Sequence, residues 1–356
     1  MHNIIMSRLA DNKFVLIAEI GVNYYDIAKK LKISNIDAAK FMIKKAKDAG
    51  IHAVKFQTYK AGTLTVKNSP SYWDTSEEPT TSQYELFKKF DSFGYDEYKQ
   101  LSDYCNEINI EFLSTAFDIE SADYLFELMN VYKISSSDLN NLPFIEYQAK
   151  KNKPIILSVG ASTLEEIEKS VVTIKKYNDK KITLMHCVLE YPTIYEHANL
   201  NKIISLKKHF PETITGYSDH TKPDSKLDII KTAYNLGAVI IEKHFTLDKT
   251  IAGNDHYHAM DFNDAENIIK SIESIDKIRG SYEISYTAAE EISRKNARRS
   301  LVITADVKAG EKITKEMITF KRPGTGIPPS EIHTVIGKKA AKDIAADSIL
   351  FKDMIK

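Results

Sequence analysis

Cysteine is nearly absent: Cys105 and Cys187 are the two in 356 residues, too few for a disulfide framework. No charge of either sign dominates, with 49 basic residues against 49 acidic ones. That balance removes the electrostatic drive toward nucleic acid or a membrane surface and leaves a small molecule as the expected partner. No apolar run approaches the ~18 residues that a membrane span needs. The first residues, MHNIIMSRLADNK, lack the apolar core of a secretion signal, so the cytoplasm is the expected compartment. Missing too is a Gly-rich phosphate loop. The first strand candidate runs into AEIGVN, which argues against a doubly wound dinucleotide fold.

What is present is a repeat of strand and helix signals. Strand candidates are FVLIAEIG (14–21), AVKFQTY (53–59), EFLSTAF (111–117), VYKISSSD (131–138), PIILSVG (154–160), ITLMHCV (182–188), TITGYSD (213–219) and VIIEKHF (239–245). Their near-continuous apolar character suits a parallel sheet covered on both faces. Between them lie helical stripes: Ile36, Ala39, Ile43 and Ala46 in one, Leu164, Ile167, Val171 and Ile174 in another, Leu227, Ile230 and Tyr234 in a third. Gly50 marks the end of the first, and Ser162 with Glu165 reads as a capping box before the second. Eight such units close as an α/β fold of the (β/α)8 TIM-barrel type.

Two stretches break the regular spacing. Residues 60–81 form a long Ser/Thr/Pro-rich connection with the only tryptophan, Trp73. Such a loop is either a lid or substrate wall, or a surface excursion anchored by Trp73. After Gly280 the pattern changes. The expected organisation is a barrel over 1–280, a connector over 281–295 and a small β-rich domain over 296–356. The last has little room for a core of its own and should lean on another surface.

In a TIM barrel the chemistry lies at the carboxyl ends of the strands. The polar residues there are Glu19, Asn23, Lys55, Gln57, Thr115, Lys133, Ser136, Asp138, Ser158, His186, Tyr191, Ser218, Asp219, His220, Glu242 and His244. Lysines within buried strands are costly unless paired with an anion. Lys55 and Lys133 therefore indicate a phosphate or carboxylate site, with Ser136, Ser158 and Ser218 as donors. The plainer alternative is internal pairing with Glu19, Asp138 or Glu242, and a third is a Schiff base on either lysine. His220 and His244 close neighbouring strands and are placed to share a divalent metal with open positions for substrate. In GNDHYHAMD, the cluster His256, Tyr257 and His258 is expected to shape the substrate wall through Asp255, with an added metal ligand as the alternative.

AEIGVN, VKFQTY, FLSTAF, YKISSSD with NNLP, IILSVGAS, HC followed by YPT, GYSDHT, EKHFTLDK and GNDH occur here in one order. In that order and spacing the chain resembles the N-acetylneuraminate (sialic acid) synthase family, which includes legionaminic and pseudaminic acid synthases. ARRSL, VKAGE, FKRPGTGI and IGKKAAKDI resemble that family's antifreeze-like (SAF) domain, so the likeness covers essentially the whole chain. It implies a metal-dependent condensation of phosphoenolpyruvate with an N-acetylmannosamine-type sugar, giving a nine-carbon 2-keto acid and phosphate. His220 and His244 match the ligands of the ion, usually manganese, with magnesium or cobalt as alternatives. Lys55, Thr115, Lys133, Ser136, Ser158 and Ser218 match phosphoenolpyruvate-binding positions. Gln57, Tyr191 and Asp255 match contacts to the acyl-sugar, and Glu19 matches the carboxylate that handles a proton. Arg322 matches an arginine that reaches over the partner's barrel in a domain-swapped homodimer.

The chain departs from the family pattern around the acceptor. Tyr24, Tyr25 and Asp26 stand where many members have histidine and glycine, and Val188, Leu189 and Glu190 follow HC where some place asparagine. These departures leave open a 2,4-diacetamido-2,4,6-trideoxyhexose as the acceptor, with Leu189 facing a deoxygenated substituent. A further alternative of another class is a non-catalytic coat-polysaccharide protein on the same scaffold. A Schiff-base aldolase remains the other enzymatic alternative.

Overall fold

Eight runs of apolar and β-branched residues form one closed parallel barrel in the computed structural model, which describes residues 3–356. The strands are β1 (Val15–Gly21), β2 (Ala53–Thr58), β3 (Glu111–Ala116), β4 (Tyr132–Ile134), β5 (Ile155–Ser158), β6 (Ile182–Cys187), β7 (Ile214–Asp219) and β8 (Ile240–His244). They neighbour one another in sequence order, and β1 closes the ring by pairing with β8, Glu19 opposite His244.

The period of two along each strand explains the interior. Val15, Ile17, Ala53, Leu113, Val131, Ile156, Met185 and Ile240 form an apolar cluster, joined by Ile5 of the helix Ile4–Ala10. Full burial of each larger aliphatic side chain contributes roughly 1.5–3 kcal/mol. Two residues further along the same strands stand Glu19, Lys55, Thr115, Lys133, Ser158, Cys187 and Glu242, all buried. The barrel is thus apolar below and polar above.

Residues of the other parity, such as Leu16, Ala18 and Ile20, pack against the surrounding helices in a second, larger core. In helix Asn35–Asp48 the expected stripe is buried through Ala39, Ile43 and Ala46, with Ala38 and Met42 beside it. Ser34 caps it by accepting from the Asp37 amide, and Gly50 follows with φ +84°, a conformation that favours glycine.

Three local expectations are corrected. The strand expected over 131–138 ends at Ile134, because the Ser135 side chain accepts from the Ser137 amide and turns Ser136–Asp138 into a 3-10 turn. The capping box before helix Leu164–Tyr177 is Thr163 with Glu166. Ser162 instead donates to the Gly160 carbonyl. Leu164, at that helix's first position, is exposed, while Ile167, Val171 and Ile174 are buried.

Two compact units divide the chain, one ending at Arg279 and the other spanning Gly280–Lys356. The second holds an antiparallel pair, β9 (Ser300–Ile303) and β10 (Ile318–Lys321). Ten buried apolar side chains, among them Leu301, Ile303, Ile313, Val335 and Leu350, make a small core within it. Among the described residues no helix is long and apolar enough to cross a membrane.

Candidate active site

The polar layer at the top of the barrel is a ring to which every strand contributes. Lys55 lies 2.5 Å from Glu19 Oε2 and 3.6 Å from Glu242 Oε1, and donates to Thr115 Oγ1 at 3.3 Å. Lys133 donates to Ser158 Oγ at 2.8 Å and lies 3.7 Å from Glu242 Oε1. Ser218 donates to Glu242 Oε1 at 3.3 Å, and Gln57 donates to Glu19 Oε1 at 2.8 Å. Ser136 Oγ accepts the Gly160 amide at 2.9 Å and touches Cys187 Sγ at 2.9 Å.

The lysines are therefore paired internally, with Glu19 and Glu242 but not with Asp138. Burial works against the Lys55 charge, but Glu19 and Glu242 outweigh it and raise its pKa. Lys133 is lowered, burial prevailing over Glu242. Burial raises the Glu19 carboxyl, although Lys55 opposes the shift. For Glu242, Lys133 and Lys55 together overcome burial and lower it. Two lysines and two glutamates share one buried ring, and an anionic ligand would take over the hydrogen-bond donors now turned on the carboxylates.

The second half of the site is a cluster of imidazoles. His220 Nδ1 meets the Val188 carbonyl at 2.6 Å, which fixes its proton there and leaves Nε2 as the ligating nitrogen. Ring centroids of His220 and His244 are 5.6 Å apart, and Tyr191 packs on His220 at 4.2 Å. Asp255 Oδ2 lies 3.2 Å from His244 Nδ1. Burial holds the His220 ring neutral, its pKa lowered to about 4, and pushes the Asp255 carboxyl up to about 7, with Glu19 adding to the effect. Neutral imidazoles with unbonded nitrogens beside a carboxyl are a donor set suited to a divalent cation.

Above this ring a second compartment opens, walled by Tyr59, Tyr72, Trp73, Phe87, Phe90 and Tyr257, with Glu78 and Asn254 as polar groups. Gln57, Tyr191 and His244 line both compartments and so join them. The 60–81 connection is thereby a wall of this cavity. Trp73 braces it, its indole N–H shared between the carbonyls of Glu78 (3.1 Å) and Thr80 (3.0 Å).

Most of the residues singled out in the sequence converge here: Glu19, Lys55, Gln57, Thr115, Lys133, Ser136, Ser158, Tyr191, Ser218, His220, Glu242 and His244 all line the charged compartment, and Asp255 the aromatic one. Asn23, Asp138, His186 and Asp219 do not. Asn23 Nδ2 donates to the Phe245 carbonyl, Asp138 sits in the 3-10 turn, and His186 bonds Ala198 O at 2.7 Å among the outer helices. Asp219 has the outward parity of β7. Arg322 is exposed in the C-terminal unit, directly after β10. Tyr24, expected near the acceptor, is instead core, stacked on Phe93 at 4.7 Å. Leu189 lines the charged compartment, not the aromatic one. Tyr59, Tyr72, Phe87 and Phe90 also line the site, and their only signal in the sequence is their place around the long loop.

A family model described as NeuB family matches residues 42–283, and a SAF domain model matches residues 298–356. The chain belongs to the NeuB family. As a NeuB-family member it is a nonulosonic acid synthase, a transferase that forms a carbon–carbon bond. The NeuB-family chain is 35% identical over 350 residues to the N,N'-diacetyllegionaminic acid synthase of Legionella pneumophila, covering 96% of this chain and 94% of that protein. It is 36% identical to the enzyme of the same name from Campylobacter jejuni, covering 95% and 99%. Its fold matches the crystal structure of N-acetylneuraminic acid synthetase from Leptospira borgpetersenii in complex with citrate, with a TM-score of 0.67 at 31% identity, over 79% and 90% of the two chains.

Proposed function

We propose that this protein condenses phosphoenolpyruvate with a 2,4-diacetamido-2,4,6-trideoxyhexose, forming a nine-carbon 2-keto acid and releasing phosphate. One observation carries the reading: a charged compartment and an aromatic compartment meet at Gln57, Tyr191 and His244. The first suits a small polyanion and the second suits the methyl groups of acetamido and 6-deoxy substituents. The two relatives described above are both named for a diacetylated product, which supports the same acceptor.

Lys55 and Lys133 bind the phosphate and carboxylate of the donor, with Thr115, Ser136, Ser158 and Ser218 completing its hydrogen bonds. Fixing the donor in this ring places its double bond against the acceptor carbon, a gain in proximity. Gln57, Tyr191 and Asp255 orient the acyl-sugar. Glu19, raised by burial and held between Gln57 and Lys55, holds or gives up the proton that the addition of water to C2 requires. His220 and His244 are the residues that would hold a divalent cation, manganese being the expected one and magnesium or cobalt the alternatives. Such an ion supplies Lewis acidity toward the acceptor carbonyl. The reading includes a second copy of the chain whose Arg322 reaches the barrel mouth, supported by the resemblance of the KRPG segment.

N-acetylmannosamine is the second reading, favoured by Glu78 and Asn254, which offer polar partners to sugar hydroxyls on the same wall. Phosphate release measured with each sugar separates the two. The expected kcat/KM is roughly tenfold or more higher for the diacetamido sugar. A preference for N-acetylmannosamine would overturn the acceptor, and no release with either would overturn the reaction.

A further inference from the structure

The segment after β8 carries two histidines, His256 and His258, that the structure treats in opposite ways. His256 is satisfied on both sides: Nδ1 meets Thr246 Oγ1 at 2.7 Å and Nε2 meets Asp26 Oδ2 at 3.3 Å. It is a structural bolt that ties the segment to the start of the barrel. His258 is equally buried, yet neither of its ring nitrogens has a hydrogen-bond partner among the described residues. An imidazole always carries at least one N–H or one bare nitrogen that needs a partner, so a fully buried ring with neither bonded is an anomaly that calls for an explanation.

Its neighbours supply one. The backbone bridge between Phe245 and Met260, with the Met260 amide bonded to the His244 carbonyl at 2.8 Å, folds this segment back onto the end of β8. His258 therefore stands against His244, ring centroids 4.8 Å apart, and 6.3 Å from His220. Asp255 Oδ1 lies 3.8 Å from His258 Nε2, too far for a hydrogen bond but close enough to share a third atom. Ligating atoms of His244, Asp255 and His258 all lie within 4.8 Å of one another. Imidazoles bound to one ion at about 2.1 Å have ring centroids roughly 5 Å apart. The His244–His258 and His220–His244 separations, 4.8 and 5.6 Å, bracket that value, and the wider His220–His258 separation of 6.3 Å puts those two rings on nearly opposite sides of such an ion.

We infer that His258 is a third imidazole ligand of the divalent cation held by His220 and His244, with the Asp255 carboxylate at the edge of the same coordination sphere. The inference rests on the reading of His220 and His244 as a cation site. It turns a sparse two-histidine site into a nitrogen-rich one while still leaving positions for substrate oxygen. Three imidazoles shift preference away from magnesium and toward cobalt, zinc or iron, because imidazole is a softer donor than carboxylate or water. They also give the segment around Asp255, which faces the aromatic compartment, a fixed attachment to the reaction centre.

The 356-residue chain, stripped with chelator and reloaded with Mn2+, tests this by pulsed EPR, which counts the imidazole nitrogens coupled to the ion. Three are expected in the wild type, and two would overturn the inference while leaving the His220–His244 reading intact. Free-ion EPR then gives Mn2+ affinity in His258→Ala and His220→Ala, each expected to weaken it roughly tenfold or more. Weakening in His220→Ala with unchanged affinity in His258→Ala overturns the third ligand alone. No bound Mn2+ in the wild type, or unchanged affinity in both variants, overturns the cation site itself. Because the nitrogen count is made on the wild type, misfolding of either variant leaves the outcome decidable.

Discussion

The ammonium of Lys243 donates to Asp219 Oδ2 at 2.7 Å and to the Thr221 carbonyl at 2.6 Å, and these two charged residues directly precede His244 and His220. The pair is almost wholly enclosed on the outer face of the barrel, with Asp219 Oδ1 also accepting the Thr221 amide at 2.9 Å and the Tyr217 hydroxyl at 3.1 Å. It clamps β7 to β8 one residue from each histidine. Removing one partner strands the other charge, so Lys243→Met is expected to cost about 3–5 kcal/mol in urea unfolding, with Asp219→Asn/Lys243→Met recovering part of it. Equal stability of Lys243→Met and wild type would mean that the pair does not hold the strands.

Gly216 sits on β7 against Ile240 and Met185 of the neighbouring strands. A methyl group there would stand 2.7 Å from Ile240 Cγ2 and 2.9 Å from the Ile240 carbonyl oxygen, and backbone cannot yield as a flexible side chain does. Gly216→Ala is therefore expected to destabilise by about 1–3 kcal/mol, read as a lower urea midpoint. An unchanged midpoint would show that the interior has slack.

His52 gives the protein an acid sensitivity remote from the reaction centre. Its Nδ1 accepts the Leu16 amide at 2.9 Å, and burial, with Arg8 and Lys47 nearby, lowers its pKa to about 3. The unfolded ring protonates near the ordinary value of about 6.5. Between those values the unfolded chain binds more protons, so stability falls as pH falls. From pH 8 to pH 5 the loss attributable to this ring is at most about 2 kcal/mol. His52→Gln should flatten that part of the stability–pH curve; an identical slope in the variant would exclude the ring as its source.

Tyr72 and Tyr191 meet edge to face at 6.3 Å across the joined compartments. Tyr72 is 59% exposed, so its loss should leave stability within about 0.5 kcal/mol. Tyr72→Ala is expected to raise KM for the acceptor sugar roughly tenfold while leaving KM for phosphoenolpyruvate unchanged. An unchanged KM for the acceptor sugar would place the aromatic wall outside the acceptor site.

The barrel was legible because its signals are local: apolar strands repeat, and the period of two says which residues face inward. The same period separates Ser218, which lines the site, from Asp219, which does not; grouping residues by their place at a strand end obscures that distinction. His186 on β6 has the same outward parity and bonds the Ala198 carbonyl. The aromatic wall was illegible because Tyr72 and Trp73 lie in a connection with no period to read, and Tyr59, Phe87 and Phe90 meet them only through the path of that connection. Tyr24 lies in the core, and an exchange of residue type says nothing of which way a side chain points. The bolt between Asp26 and His256 spans 230 positions and leaves no trace in local sequence.

Carbon–carbon bond formation is tested most directly by supplying phosphoenolpyruvate labelled with 13C at C3 together with the 2,4-diacetamido-trideoxyhexose, and following the label by NMR. The label is expected in a methylene carbon of a nine-carbon 2-keto acid, with one phosphate released per product and both lost in Lys133→Met. Label that remains in phosphoenolpyruvate or pyruvate, with every acyl-sugar supplied, would contradict the proposed condensation.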